Sequence, residues 1–371
     1  MKRLVLLGGG HAHVKVLADL AERPLAGWDV VLVSPYRRQI YSGMLPGWVA
    51  GHYPIESCVI SLDKLAARAG IDFRETAGAG LDLDRQELSC ADGSALHFDV
   101  LSIDTGPSPA SDALPGSSLH ALPIRPIEGF VAAWPAMVDR MLRRHRRFDL
   151  VILGAGAAGV ELAFAAHHRA ISEGGSHVRI ALVGSGPWPL EGGPPSAQQR
   201  LSALLAERAI VWHGGRRATA IESGLIRFDD GPPLSFDGCL VVTGAAAPAW
   251  PAASGLATDQ RGFIRVGKSL QSLSHPQVHA AGDVAAYADA RPKSGVYAVK
   301  AGPVLSYNLR AACEGRAPRY WTPQQKALYL VSTGDRHALA LWGPWSVEGD
   351  WVWHWKDWID RRFMRRFGTS A

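Results

Sequence analysis

Residues 2–14 read KRLVLLGGGHAHV. Leu4, Val5, Leu6 and Leu7 run unbroken into Gly8, Gly9 and Gly10, and from Val14 to Leu20 apolar side chains recur at helical spacing. A buried parallel strand that feeds a glycine turn and then a helix is the opening of a dinucleotide-binding βαβ unit. Gly8 permits the tight turn. Gly10 lets the backbone approach a pyrophosphate at the positive end of the helix, where His11 and Ala12 follow. His13 stands where the pattern has its third glycine. A second copy at residues 150–161, LVILGAGAAGVE, has all three glycines, at Gly154, Gly156 and Gly159.

A chain of 371 residues has room for two domains, and 47% hydrophobic with 20% charged residues supplies more than one core. Lys2 and Arg3 before an apolar run have the look of a signal peptide. That run is only four residues long and no small-residue cleavage site follows, so it reads as a strand. No apolar run is long enough to span a bilayer. Cys58, Cys90, Cys239 and Cys313 lie far apart, which suits a reducing cytoplasm and neither a disulfide framework nor a metal site. His11 and His13 have no Cys or Asp to complete a ligand set, so packing or phosphate contact is expected of them and no metal. The excess behind a net charge of +5 falls at residues 140–147 and 356–366. With no recognised module around the first cluster, a solvated helix face is expected and no nucleic acid.

Residues 28–33, WDVVLV, form a second buried strand. Where the fold places a ribose-binding acid stand Ser34 and Pro35, and a hydroxyl gives the weaker contact. Residues 36–53, YRRQIYSGMLPGWVAGHY, contain Arg38, Met44, Leu45 and Pro46 and are expected to line the pocket beside the dinucleotide's ring. Strands are expected at 82–90 and 96–103, the latter running into Thr105 and Gly106, with a crossing over 107–126 and a helix over 126–145. The second unit follows: a strand at 148–153, a helix through Glu161 to Ile171 with His167 and His168 in solvent, and a strand at 178–183. A helix over 201–208 and a hairpin over 224–236 come next. Residues 239–242 then close on Thr243 and Gly244, which parallels Thr105 and Gly106 and marks an internal repeat. Residues 278–283 end in Gly282 and Asp283, and a helix runs to about Glu314. The second unit's second strand ends in Gly184, Ser185 and Gly186, with no acid to select NADH and no arginine to select NADPH.

The tail carries Trp342, Trp345, Trp351, Trp353, Trp355 and Trp358. On a helix Trp355, Ile359, Phe363 and Phe367 share one face, with Lys356, Arg361, Arg362, Arg365 and Arg366 around them. Such a stripe suits a membrane surface, the protein body or a second copy in a homodimer.

Two glycine cradles and a late Gly-Asp strand end, in this order, resemble the pyridine nucleotide-disulfide oxidoreductase superfamily over essentially the whole chain. The resemblance implies an α/β fold with two Rossmann-like, glutathione reductase-like dinucleotide-binding domains and a C-terminal Trp-rich segment. It places an FAD-binding domain at 1–108 and 245–318, an NAD(P)-binding domain at 109–244 and the interface or membrane-surface segment at 319–371. It implies FAD in the first cradle, NADH or NADPH in the second, and Asp283 on the ribityl chain. Neither the family's CxxxxC nor its single reactive cysteine is present, although Cys58 lies near that position. This directs the resemblance to the type II NADH dehydrogenase and sulfide:quinone reductase branch. Lys300, where that branch usually has glutamine, is expected to stabilise charge on the reduced flavin, and Glu161 to relay a proton. GGGHAHV, YSGMLPG and KDWIDRRFM further resemble the flavoprotein module found fused ahead of selenide, water dikinase. The expected activity is hydride transfer from NAD(P)H to FAD and on to a quinone-like or other small acceptor. The alternatives are a sulfide- or selenide-oxidising flavoprotein and a flavin-carrying partner of a selenophosphate-making enzyme. The expected location is cytoplasmic, with peripheral attachment to the inner face of the cell membrane if the tail binds lipid.

Overall fold

The computed structural model describes residues 1–109, 114–143, 146–242, 244–289 and 291–368. Its first half contains β1 (Lys2–Leu7), α1 (His11–Glu22), β2 (Trp28–Val33), β3 (Asp72–Arg74), β4 (Val100–Ile103), β5 (Leu122–Pro123) and α2 (Ile127–Arg143). The second nucleotide unit follows with β6 (Phe148–Leu153), α3 (Ala157–Ser172), β7 (Val178–Val183), α4 (Pro195–Glu207), β8 (Val211–His213) and β9 (Gly238–Val241). The chain ends through β10 (Val278–Ala280), α5 (Gly295–Cys313), β11 (Leu328–Ser332), β12 (Ala338–Trp342), β13 (Trp345–Gly349) and α6 (Asp350–Phe367).

Two parallel sheets carry the molecule, in the orders β10-β4-β1-β2-β3 and β5-β9-β6-β7-β8. Leu4 and Leu6 of β1 face the core under α1 and α5, while Val5 and Leu7 face the opposite core with Leu88 and Phe98. Burial on both faces is why the strand is unbroken apolar sequence. Leu150 and Ile152 against Val151 and Leu153 repeat this division in β6.

The duplication holds residue by residue. β1 pairs with β2 from Lys2↔Trp28 to Leu7↔Val33, and β6 with β7 from Phe148↔Val178 to Leu153↔Val183. Gly8 N–H donates to Val33 O and Gly154 N–H to Val183 O, both at 2.8 Å. Asp104 N–H likewise donates to Leu7 O, and Val242 N–H to Leu153 O. Asp104 and Val242 therefore occupy equivalent points of the two halves.

Several expected boundaries change. The strand expected at 82–90 is two, Gly78–Asp82 and Glu87–Cys90, because the chain reverses through Gln86 at φ 55°. The strand expected at 96–103 breaks into Ala95–His97 and β4. α4 starts at Pro195, since proline without its N–H is tolerated in a first helical turn. The basic cluster at 140–147 is mostly at the surface, with Arg144 and His145 outside the described residues. His167 and His168 are half-buried rather than in solvent, and the ring of His168 lies 5.0 Å from that of His52.

The tail folds back onto the body. α6 buries Val352, Trp353, Asp360 and Phe367, and Phe363 stacks on Tyr41 at 4.5 Å between ring centroids. The buried face is thus rotated from the expected stripe. Phe363 and Phe367 pack inward, Trp355 stays exposed with Trp351 and Trp358, and Lys356 turns inward because Asp360 lies one turn on.

A Cβ at Gly159 would lie 1.7 Å from Gly154 O, so α3 rests against the turn only because that residue has no side chain. Gly159→Ala is expected to cost about 1–3 kcal/mol through overpacking, read as a lowered urea midpoint. An unchanged midpoint would show that the helix shifts freely.

Candidate active site

In the first cradle Gly8 adopts φ 95°, and the chain passes so close to β4 that a Cβ there would lie 2.5 Å from Asp104 O. Gly10 is the N-cap of α1 and has no side chain to offer, so the first amides of the helix look outward for acceptors. Ala12 N–H and His13 N–H donate to Asp104 Oδ2 at 2.8 and 3.0 Å. The His11 amide has no partner among the described residues. His13 is wholly buried beneath the helix. Its Nδ1–H donates to Gly8 O at 2.6 Å and its Nε2 accepts from Ser102 at 2.7 Å, so the ring is neutral and ties α1 to β1 and β4. Burial pushes its pKa down to about 4. His11 turns its ring to Tyr41 and Phe363, leaving only its backbone for a phosphate.

The other expected contacts to the first nucleotide divide. Ser34 closes its own turn, donating to Tyr36 O and accepting from Tyr36 N–H, so its hydroxyl is committed beside the exposed Pro35. Arg38 is likewise engaged, in a forked pair with Glu128 of α2. Thr105 is exposed at the mouth of the cradle, and Gly106 turns there at φ 72°. Gly282 turns at φ 70°, and Asp283 after it faces Arg125 Nη2 at 3.7 Å. Burial raises the Asp283 pKa, while Arg125, Lys293 and the Ser294 N–H at the start of α5 act against the rise.

Residues 41–47 are held from both sides. Met44 precedes a short helix, Leu45–Val49, and is buried with its Leu45 and Pro46, and Gly47 leaves room for the Tyr53 ring. Above them Tyr41 donates to Asp360 Oδ1 at 3.0 Å, Tyr53 to Asp357 Oδ1 at 2.6 Å, and Lys356 Nζ to Gly43 O and to Asp360 Oδ2 at 2.7 Å. Burial works against the Lys356 charge, but Asp360 and Glu161 outweigh it and raise its pKa. Glu161 accepts from Ser332 N–H at 2.9 Å and so does not cap its own helix. Burial pushes its pKa up to about 7, with Lys356 opposing.

A buried cation held beside this segment is therefore Lys356, whereas Lys300 lies at the surface of α5. Gly302 rests on α1, with its Cβ position 3.0 Å from Lys15 Cβ. Ala301 enters the core, which leaves Lys300 exposed. Cys58 is fully buried and its thiol is pushed up to about 12 by that burial, which makes it a poor electron relay.

The second cradle is open. Gly154 turns at φ 116°, and among the described residues a Cβ on Gly156 would meet nothing within 4 Å. Gly244 is exposed beside it, and Thr243 lies outside the described residues. At the end of β7 the chain brings in an acid that the local sequence lacks, since a Cβ on Gly186 would lie 2.9 Å from Glu191 Oε2.

Two glycine cradles at the ends of duplicated sheets, with a Gly-Asp turn returning to the first, are now in view. The chain matches the pyridine nucleotide-disulphide oxidoreductase family over residues 2–302. The chain belongs to this family. It is an FAD- and NAD(P)H-dependent oxidoreductase with a mixed α/β fold. It is 22% identical over 307 residues to an NADH dehydrogenase-like protein of Mycobacterium tuberculosis, covering 77% of this chain and 73% of that protein. It is 31% identical over 172 residues to a probable ferredoxin reductase of Castellaniella defragrans, covering 44% of this chain and 39% of that one. In fold it is similar to a sulfide:quinone oxidoreductase from Aquifex aeolicus, with a TM-score of 0.83 at 18% identity over 99% of this chain and 91% of that one.

The first cradle fits FAD through its glycine turn, the remaining His11 amide and Asp283. Four groups escaped the sequence reading: Asp104, Glu191, Lys356 and Asp360. Setting IDTG at 103–106 beside VVTG at 241–244 exposes the first, and the i, i+4 spacing of Lys356 and Asp360 hints at the last two.

The raised Glu161 pKa carries a sign. The folded state holds this proton longer than the unfolded chain, so the stability that depends on it is lost as pH rises from about 4.5 through about 7. Glu161→Gln is therefore expected to gain in thermal midpoint over the parent between about pH 5 and pH 8. A constant difference across that range would place the proton elsewhere.

Proposed function

We propose that the chain oxidises NADH in the second cradle and delivers the electrons, through FAD held in the first, to a small acceptor near residues 41–46. The observation that carries this is the residue-by-residue duplication of the nucleotide cradle, with Asp283 returned beside the first copy. FAD, when bound, supplies the redox chemistry, and the protein supplies orientation and charge. The turn at Gly8 and Gly10, which lack side chains, and the His11 backbone amide would hold its pyrophosphate, and Asp283 its ribityl hydroxyls. Gly154, Gly156 and Gly159 would hold the pyridine nucleotide. Lys356 supports the reading as a fixed cation beside residues 41–46, and Glu161 as a carboxyl able to keep a proton near neutral pH.

Glu191 beside Gly186 favours NADH, because a carboxylate accepts from ribose hydroxyls and repels a 2′-phosphate. Anaerobic titration of the yellow protein should bleach the flavin at lower NADH than NADPH, and Glu191→Arg should narrow or reverse the gap. A protein that is colourless and gains no FAD on reconstitution would end this reading.

A second reading, delivery of electrons to a selenophosphate-making partner, draws on one contact. YSGMLPG and KDWIDRRFM, two segments that carry the resemblance to the dikinase-linked module, meet through Tyr41, Gly43, Lys356 and Asp360.

For the tail we infer an anionic membrane surface as the partner. Among the described residues no helix is long and apolar enough to cross a membrane. Trp345 is 74% exposed and Trp351 57%, and the exposed Trp355 and Trp358 follow on the same face of α6, with Arg362 over the Trp358 ring. Tryptophan rims with basic neighbours suit a charged lipid interface. The protein should sediment with anionic vesicles, and a triple Trp345, Trp351 and Trp358 to Ala variant should stay in solution with its FAD. Equal sedimentation of the two would remove the membrane from the account.

A further inference from the structure

The N-terminus of α1 is already met by an anionic group of the chain itself. The Asp104 carboxyl takes two of the helix's first amides and fills the space beside Gly10, where a Cβ would lie 2.3 Å from it. Its Oδ1 also lies 2.4 Å from a Cβ position on Gly282, so the group is wedged between the glycine turn and the Gly-Asp turn. At the equivalent point the second half has Val242, and there no described residue fills the space beside Gly156. The backbone is the same, since each of these residues donates to the last carbonyl of its central strand. Where the first cradle has the Asp104 carboxyl against its glycine turn, the second has the apolar side chain of Val242.

A pyrophosphate at a helix start uses the first amides and the positive end of the helix dipole. An ionised carboxylate at the same point holds some of those donors and repels the ligand's charge. We propose that Asp104 competes with the pyrophosphate of FAD for the N-terminus of α1 and thereby sets how tightly the cofactor is held. This rests on the assignment of FAD to the first cradle.

Burial pushes the Asp104 pKa up to about 7 against the pull of its two amide bonds, so the competition turns on near neutral pH. Among the described residues no cation pairs with it. From α1 come His13 and His11, both with pKa values lowered to about 4 by burial. From the turn after β10 comes Asp283, whose like charge adds to the rise, and beyond it the buried Tyr287 hydroxyl. Arg125 faces Asp283 and His11. A neutral Asp104 leaves the dipole to the ligand, so affinity for FAD falls as pH rises.

The test is titration of the full-length apoprotein with FAD, followed by flavin fluorescence, at about pH 6 and about pH 8.5. The parent protein is expected to bind roughly tenfold more weakly at the higher pH. Asp104→Asn, which keeps the shape without the charge, and Asp104→Ala should bind more tightly than the parent at the higher pH, with little pH dependence. ADP, which carries the pyrophosphate without the flavin, should compete with the same pattern. Parent affinity that is flat with pH and equal to that of the variants overturns the competition and leaves the enzyme assignment standing. Variants that keep the parent's pH slope overturn it too. Uptake of FAD by neither parent nor variants removes the assignment beneath it. If the Ala variant fails to fold, judged by its circular dichroism melt, the Asn variant decides.

Discussion

The free amides at the start of α1 and α3 are the constraint on which this structure depends. A helix that begins at the end of a buried strand presents N–H groups with no partner in its own ladder, and something must accept from them. In the second half that demand is left open to a ligand. In the first the chain partly answers it with Asp104, and the surrounding residues follow from this. His13 must be neutral to sit under the helix, and both Gly10 and Gly282 must lack side chains to admit the carboxyl.

The fold was legible because its sheets are buried on both faces. The sequence neighbours of Val5 and Val151 cannot be polar when successive positions of β1 and β6 enter one core or the other, so the apolar runs and the glycine turns after them stand out. The site was legible only where the backbone makes it. Gly8, Gly154, Gly159 and Gly282 are demanded by turns or close approaches that any reader of the pattern can locate. Lys300 and Lys356 show the limit. Both are lysines in helices, and which of them is buried depends on Gly302 resting on α1 and on Asp360 facing Tyr41. Glu191 lies beyond sequence reading for the same reason, since a loop carries it back to Gly186.

α6 connects the two halves chemically. Its Lys356 and Asp360 reach Gly43 and Tyr41 of the first half, and Lys356 faces Glu161 of the second, so one helix turn meets both. Burying this many charged groups is unfavourable unless each finds a partner, and the described bonds give Lys356 and Asp360 partners on both sides. The rotation that brings Lys356 inward also leaves Trp351, Trp355 and Trp358 outside, so the same register sets the buried ionic group and the exposed aromatic face.

The place of β10 in the first sheet has a consequence for synthesis on the ribosome. Val278–Ala280 pairs with β4, although the whole second unit separates them in the chain. Until that late segment emerges, β4 stands as a bare edge with unsatisfied hydrogen-bonding groups, while the sheet around β6 already has all its strands. The later-made nucleotide unit can thus finish folding before the earlier one, and a nascent chain stalled before residue 278 exposes an adhesive strand edge that a chaperone would need to shield.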